Sequence, residues 1–458
     1  MASLEQNQNA QTQRGRVSRR SFLKGITVSA AGMALLGVAG CAAPGAAPAA
    51  GGEGAAPSEE AVSIRWHHRL GGWEMYPQRI EAYQEATGVT VVEETFPEGS
   101  AEYGPKIVSL IAAGTVGDIT WTAIGTGSYQ FLVQNNGLAA IDDLVEADTS
   151  GFTLDEYFPR IVSSLRVENN LYGLPETAHG VQTCLFFNRD LIEEAGADVP
   201  TLDWTRDDLL QMAIQMTEGD QKGFLPATGD YSNTRNHTLP YGGELLSEDG
   251  TTSLLETEEV KEGLRWVHSL FTEHAAAPSP QQMAGAGLGA EQMFLARQIV
   301  SYQSGGWGLS VRNVVEDEFN WDMVLMPNGP AGNRGFHLHI DAEAVTAQSE
   351  HKQEAYEFAK YLTDAEAGVG IALQIGLATR PDAFADERVA SNPHLVLLGQ
   401  AASEAAEHLN PANMRKQEMQ TTIKAIFDPL WLGDVQPDDA FFAQASATFQ
   451  EFLDKPVD

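Results

Sequence analysis

Val62-Ser63-Ile64-Arg65-Trp66 alternates apolar and polar residues at the two-residue period of a strand, and Met75 to Thr87 follows with helical spacing that stops at Gly88. The same unit then recurs. Val89 to Glu93 reads as a second strand, Tyr103 to Ala113 as a helix closed by Gly114, and Asp118-Ile119-Thr120-Trp121 as a third strand. A further helix runs from Ser128 to Asn135 and stops at Asn136-Gly137. Strands that alternate with helices predict an α/β fold with a parallel sheet covered on both faces. Ligands of such sheets sit beyond the carboxyl ends of the strands, which selects three loops: His67 to Trp73, Phe96 to Ser100 and Thr122 to Gly127.

Outward from this stretch the chain is more helical. Arg206 to Met216 follows Thr205, a good N-cap, and Thr257 to Thr272 and Met293 to Ala296 have the same spacing. Gly305-Gly306-Trp307-Gly308 and Pro327 to Gly335 are turn-rich connectors. Lys352 to Thr363 is amphipathic, with Ala355, Phe358, Ala359 and Leu362 on one face. The body after residue 60 has about 400 residues, beyond the size at which single cores stop growing, so two lobes are expected.

The leader has a different character. Ser18-Arg19-Arg20-Ser21-Phe22-Leu23-Lys24 resembles a twin-arginine export signal, and Val38-Ala39-Gly40-Cys41 resembles a bacterial lipobox whose cysteine is lipidated. The apolar stretch between them, Ile26 to Gly40, falls short of the ~20 residues a bilayer core needs. Residues 1–40 therefore read as a signal peptide and 41–60, rich in Ala, Pro and Gly, as a flexible tether. The expected location is extracytoplasmic, anchored to the membrane at Cys41.

Net charge is −35, and without the leader 23 Lys/Arg face 62 Asp/Glu, a balance of −39. Such acidity argues against nucleic acid or an anionic lipid surface as partner. Of the two cysteines, Cys41 would be consumed by lipid and Cys184 lies in the apolar run Cys184-Leu185-Phe186-Phe187, so neither a disulfide nor a thiolate metal cluster is available. No nucleophile elbow, zinc-protease helix, phosphate loop or dinucleotide fingerprint occurs, so no enzyme activity and no cofactor are expected.

Several segments carry a family likeness. Leu171-Tyr172-Gly173-Leu174-Pro175, then Leu185-Phe186-Phe187-Asn188-Arg189-Asp190-Leu191, then Glu194-Ala195-Gly196 and Val199-Pro200-Thr201-Leu202-Asp203-Trp204 occur in that order. Phe294-Leu295-Ala296-Arg297-Gln298-Ile299-Val300, Gly305-Gly306-Trp307, Met326-Pro327-Asn328-Gly329-Pro330 and His351 to Leu362 follow. Together they resemble the extracellular solute-binding proteins, family 1, of ABC importers, the maltose-binding-protein type. The departures are Ala296, where relatives have glycine, and Gly335 to Ile340 before the second crossover. The resemblance implies a two-lobed periplasmic-binding-protein-like fold, each lobe a β-sheet flanked by helices, with a hinge of crossover strands. Lobe one would be 62–176 plus 341–390 and lobe two 177–340 plus 391–458. The implied partners are a carbohydrate held between the lobes and the membrane permease subunits, with the binding protein itself a monomer.

Sugar binding calls for flat apolar faces and planar polar groups. Of eight tryptophans, Trp307 matches the family's ligand-stacking position, Trp73 lies in the first strand–helix loop, and Trp121 ends a strand, where core and cleft are both open. Trp204, Trp266 and Trp321 read as core. His68 and Arg69 follow the first strand, and Glu176 and His179 lie at the first crossover, as ligand contacts or as hinge hydrogen bonds. Tyr231 and Asn236 belong to a polar–aromatic loop, a cleft wall or a solvated turn, and His337 sits beside the second crossover. The neighbours His67 and His68 raise a metal reading, but successive side chains on a strand point apart and no third ligand is spaced to join them, so no metal site is expected. The competing readings are a non-sugar cargo (polyamine, glycerophosphodiester or peptide) and an exported glycoside hydrolase. A cationic cargo would need several cleft carboxylates.

Overall fold

The computed structural model describes residues 62–69, 73–96, 100–124, 128–279, 282–283, 287–315, 318–376, 378–405 and 416–455. The leader, the tether with Cys41, and residues 70–72, 97–99 and 125–127 of the three selected loops lie outside the described residues.

Eleven strands are present among the described residues: β1 (Ser63–Arg69), β2 (Thr90–Phe96), β3 (Ile119–Ala123), β4 (Arg166–Val167), β5 (Asn170–Leu171), β6 (Leu174–Gly180), β7 (Cys184–Asn188), β8 (Lys222–Leu225), β9 (Ile299–Ser304), β10 (Trp321–Leu325) and β11 (Leu338–Val345). A five-stranded sheet has the order β2-β1-β3-β11-β6, a four-stranded sheet the order β10-β7-β9-β8, and β4 and β5 form a hairpin. In the first sheet β1 pairs in parallel with β2 and β3, as the strand–helix alternation predicts. The sheet is mixed, however, because β11 enters antiparallel between β3 and β6. This strand arrives from the other sheet rather than through a strand–helix–strand unit, so its direction is free of the parallel rule.

The local elements follow their sequence signals. Helix Tyr76–Thr87 ends at Gly88, whose φ of 74° is left-handed and whose N–H donates to Gln84 O. Helix Arg206–Gln215 starts at Thr205, whose hydroxyl oxygen accepts from Asp208 N–H. Helix Lys352–Leu362 buries Ala355, Phe358, Ala359 and Leu362, the stripe its spacing predicts. On the first sheet Phe358 meets the edge of Trp66 at 5.5 Å between ring centroids and Tyr83 at 5.0 Å.

The second sheet is covered on both faces. Along β7, Leu185 and Phe187 join one apolar cluster and Cys184 and Phe186 the other. Burial pushes the Cys184 thiol up to about 12, so it behaves as a small hydrophobe. Val369, Ala372, Leu395 and Leu398, from the helices that follow Lys352–Leu362, share the cluster of Cys184, Phe186 and Tyr302. Two crossovers link the sheets, 181–183 from β6 to β7 and 326–337 from β10 to β11. They are tied to each other: Val181 N–H donates to His337 O at 3.1 Å and Met326 N–H to Thr183 O at 2.8 Å. Within the first crossover Gln182 holds φ at 52°, a left-handed conformation that costs a non-glycine residue free energy.

Phe358 is fully buried between the first sheet and its helix. Phe358→Ala should lower unfolding free energy by about 3–5 kcal/mol, measured by urea denaturation. Val396, 50% exposed on helix Pro393–Ala405, should tolerate alanine with a change within about 0.5 kcal/mol.

Candidate functional site

Strand register assembles a polar face on the first sheet. Period-two alternation places His339, Asp341 and Glu343 of β11 on one side, and pairing sets Glu343 opposite Trp121, Asp341 opposite Thr177 and His339 opposite His179. The register of β6 against β11 shifts between Asp341 and Ala342, whose partners are Thr177 and Pro175, so Glu176 is the extra residue of a β-bulge. A bulge releases its residue from strict alternation and re-aims the side chain. Glu176 Oε1 accepts from Trp73 Nε1–H at 2.6 Å and from the Tyr76 hydroxyl.

Arg69, the last residue of β1, donates from Nη2 to Asp341 Oδ2 at 3.0 Å. Its guanidinium lies 4.5 Å from the Trp121 ring centroid and 5.7 Å from that of Trp73. Asp341 also accepts from the Thr177 hydroxyl at 3.0 Å, and its Oδ1 lies 2.9 Å from His339 Nε2. Glu343 Oε2 accepts from Trp66 Nε1–H at 2.8 Å.

The second sheet contributes Trp307, on the short helix Gly306–Ser310 that follows β9. Its side is 37% open to solvent, and its ring meets the His179 ring edge-on at 5.1 Å. The His179 ring in turn stacks on His339 at 4.7 Å. The glycine before this turn has a steric reason: a Cβ on Gly305 would stand 2.1 Å from the Trp307 ring.

Burial sets the electrostatics. It raises Glu176 and, aided by the negative charge of Glu176, raises Glu343 well above the usual carboxylate range. Burial also pushes against ionised Asp341, but Arg69 and His339 outweigh it and hold that carboxyl below its ordinary value. Burial, with the neighbouring His339, lowers His179 to about 3 and so keeps its imidazole neutral.

Six of the expected residues thus meet: Arg69, Trp73, Trp121, Glu176, His179 and Trp307. His68 lies one layer behind, its ring stacked 3.9 Å from that of Trp66 and edge-on to Tyr76, with Nε2 3.2 Å from Glu93. His67 points the other way and accepts from Gly117 N–H. Tyr231 and Asn236 lie on a helix, Tyr231–Thr238, rather than in a loop. Tyr231 is core, and Asn236 donates from Nδ2 to Val181 O at 2.8 Å, bracing the first crossover. His337 is fully buried, and its carbonyl serves the same crossover. Tyr76, Thr177, His339, Asp341 and Glu343 join the six that meet and are not among the candidates the sequence marks. The alternation His339-x-Asp341-x-Glu343 in an otherwise apolar strand was the available signal.

Two helix-flanked sheets joined by paired crossover strands, with aromatic and carboxyl groups gathered where they meet, are the architecture of a two-lobed binding protein. The chain belongs to the bacterial extracellular solute-binding protein family, whose sequence model matches residues 78–396. A binding protein of Brucella abortus (strain 2308) is 24% identical over 271 residues, 56% of this chain; the match spans 61% of that relative's length. Three solved structures share the fold. An ABC substrate-binding protein from Listeria monocytogenes in complex with cycloalternan has a TM-score of 0.76 and 18% identity, covering 86% of this chain and 99% of that one. The GacH receptor of Streptomyces glaucescens, solved unliganded and with acarbose, has a TM-score of 0.74 and 20% identity at the same coverages, 86% and 99%. The maltose-bound MalE3 of T. maritima has a TM-score of 0.71 and 20% identity, again with 86% and 99% covered.

The buried histidines give the fold a pH signature. Burial lowers His67, His179 and His237 to about 4, 3 and 3, whereas the unfolded chain protonates these rings below about 6.5. Between those values the unfolded state binds more protons, so stability is full above pH 6.5 and falls as pH drops. Glu176 and Glu343, raised by burial, oppose this, but two groups do not cancel three that are joined by His68 and His268, also lowered by burial. Tm should fall between pH 7 and about 4.5, and fall less steeply in His179→Gln, as scanning calorimetry would show.

Proposed function

We propose that this chain is the lipid-anchored, extracytoplasmic solute-binding subunit of an ABC importer, that its cargo is a sugar or oligosaccharide, and that it catalyses nothing itself. One observation carries the reading: a partly open tryptophan from the second sheet, Trp307, meets His179 of the first, and His179 stacks on His339, whose strand also carries Asp341 paired with Arg69 over Trp121. Pyranose rings present apolar C–H faces to aromatic planes and hydroxyls to planar polar groups, and this cluster supplies both. The sugars named with the structural neighbours support the same class of cargo.

The working cycle follows from the two-lobed form. The lobe built on the first sheet and the lobe built on the second close over the cargo by bending at the paired crossovers. Closure expels water and strengthens each polar contact inside, and the cargo selects the closed population. The permease reads that closed form. Cys41 and the Ala/Pro/Gly tether keep the trap near its permease and raise the effective concentration of loaded protein.

Titration calorimetry against a panel of oligosaccharides should give exothermic binding at one site per chain. Trp307→Ala should weaken it by about thirtyfold, near 2 kcal/mol, without lowering Tm, because the residue is open to solvent. Unchanged affinity in this variant would rule out the assignment.

A further inference from the structure

Charge at the cleft face is not balanced. Asp341 has Arg69 at 3.0 Å as its counter-ion, with Thr177 and His339 completing its contacts. Among the described residues Glu176 and Glu343 take their hydrogen bonds from neutral donors, Trp73 and Tyr76 for the first and Trp66 for the second, and share the charge of the same Arg69 with Asp341. Each leaves one oxygen, Glu176 Oε2 and Glu343 Oε1, buried without a hydrogen-bond partner among the described residues. The Trp121 indole N–H, on the strand paired with Glu343, is also without a partner there. Both glutamates are at least 98% buried. One guanidinium cannot balance three buried carboxylates, so the glutamate pair either takes up a proton or takes a further cation from outside.

Arg69 shows what this surface accepts. Its guanidinium rests over the Trp121 ring and against a carboxylate, the pairing of aromatic face and acid that also receives an ammonium group. We propose that the cargo bears a protonated amine, as an amino sugar does, which binds beside Trp73 and Trp121 with Glu176 and Glu343 as its counter-charges. This inference rests on the cleft reading above. It excludes anionic sugars, because a uronate or phosphate would meet three carboxyl groups and one guanidinium already engaged. Burial and mutual repulsion favour a proton on the Glu176–Glu343 pair, so uptake of an ammonium group releases it, and an amine that stays protonated, such as spermidine, binds more tightly as pH rises. The other charged or titratable groups facing the pair are Arg69, Tyr76 and Asp341, and Asp341 in turn is faced by His179 and His339.

Calorimetry on the full chain with four probes tests this: a glucosamine trisaccharide with free amines, maltotriose, trigalacturonate and spermidine. The glucosamine trisaccharide should bind about tenfold or more tightly than maltotriose and weaken as salt rises, and trigalacturonate should not bind. The double variant Glu176→Gln/Glu343→Gln, which keeps the acceptors for Trp73, Tyr76 and Trp66, should erase the preference. Maltotriose binding as tightly as the amine, any binding of trigalacturonate, or failure of both amines overturns the charge inference. Spermidine binding while all three sugars fail supports it and instead overturns the carbohydrate reading. The comparison of probes on the unmodified chain stands even if the double variant does not fold.

Discussion

The Arg69–Asp341 ion pair is the interaction around which the cleft is built. It joins the end of β1 to the middle of β11, strands 272 residues apart that are separated in the sheet by β3. Asp341 is almost wholly buried, so its charge persists only because both oxygens are occupied, by Arg69, Thr177 and His339. Buried pairs of this kind contribute little net stability against an apolar replacement, because desolvation offsets much of the attraction. Their effect here is positional. The guanidinium is held over Trp121 and within reach of Trp73, whose indole N–H in turn donates to Glu176.

The placing of Glu176 depends on an irregularity in the sheet. Regular alternation would send the residue between Pro175 and Thr177 to one face by rule. The bulge frees Glu176 instead to accept from both Trp73 and Tyr76 at the start of the first helix. The next turn of the same strand carries His179 to Trp307, and three residues later Gln182 adopts its left-handed conformation between the two sheets. The candidate site and the first crossover are thus one continuous piece of chain.

Much of the first sheet was legible in the residues. Helical spacing and the glycine stops at Gly88 and Gly114 placed the early elements close to their observed ends, because local capping chemistry decides where such helices stop. The apolar stripe of Lys352–Leu362 was equally plain. The second lobe read less well around Tyr231–Thr238. Its polar composition suggested a loop, yet Asp230 caps a helix there and the polar side chains are spent inside the fold, as with Asn236 on the first crossover. Polar residues mark solvent only when no backbone group needs them.

The sequence by itself determined the α/β class and the aromatic candidates at strand ends and in the Gly-Gly-Trp-Gly turn. These rest on local periodicity, turn chemistry and short motifs, all contained within a few neighbouring residues. Only the tertiary structure decided that β11 enters antiparallel between β3 and β6, and with it that His339, Asp341 and Glu343 pair with His179, Thr177 and Trp121. Strand order is set by which faces bury together across hundreds of residues, and no local pattern encodes it. The same long-range pairing set Arg69 against Asp341 beside two further buried carboxyls, Glu176 and Glu343.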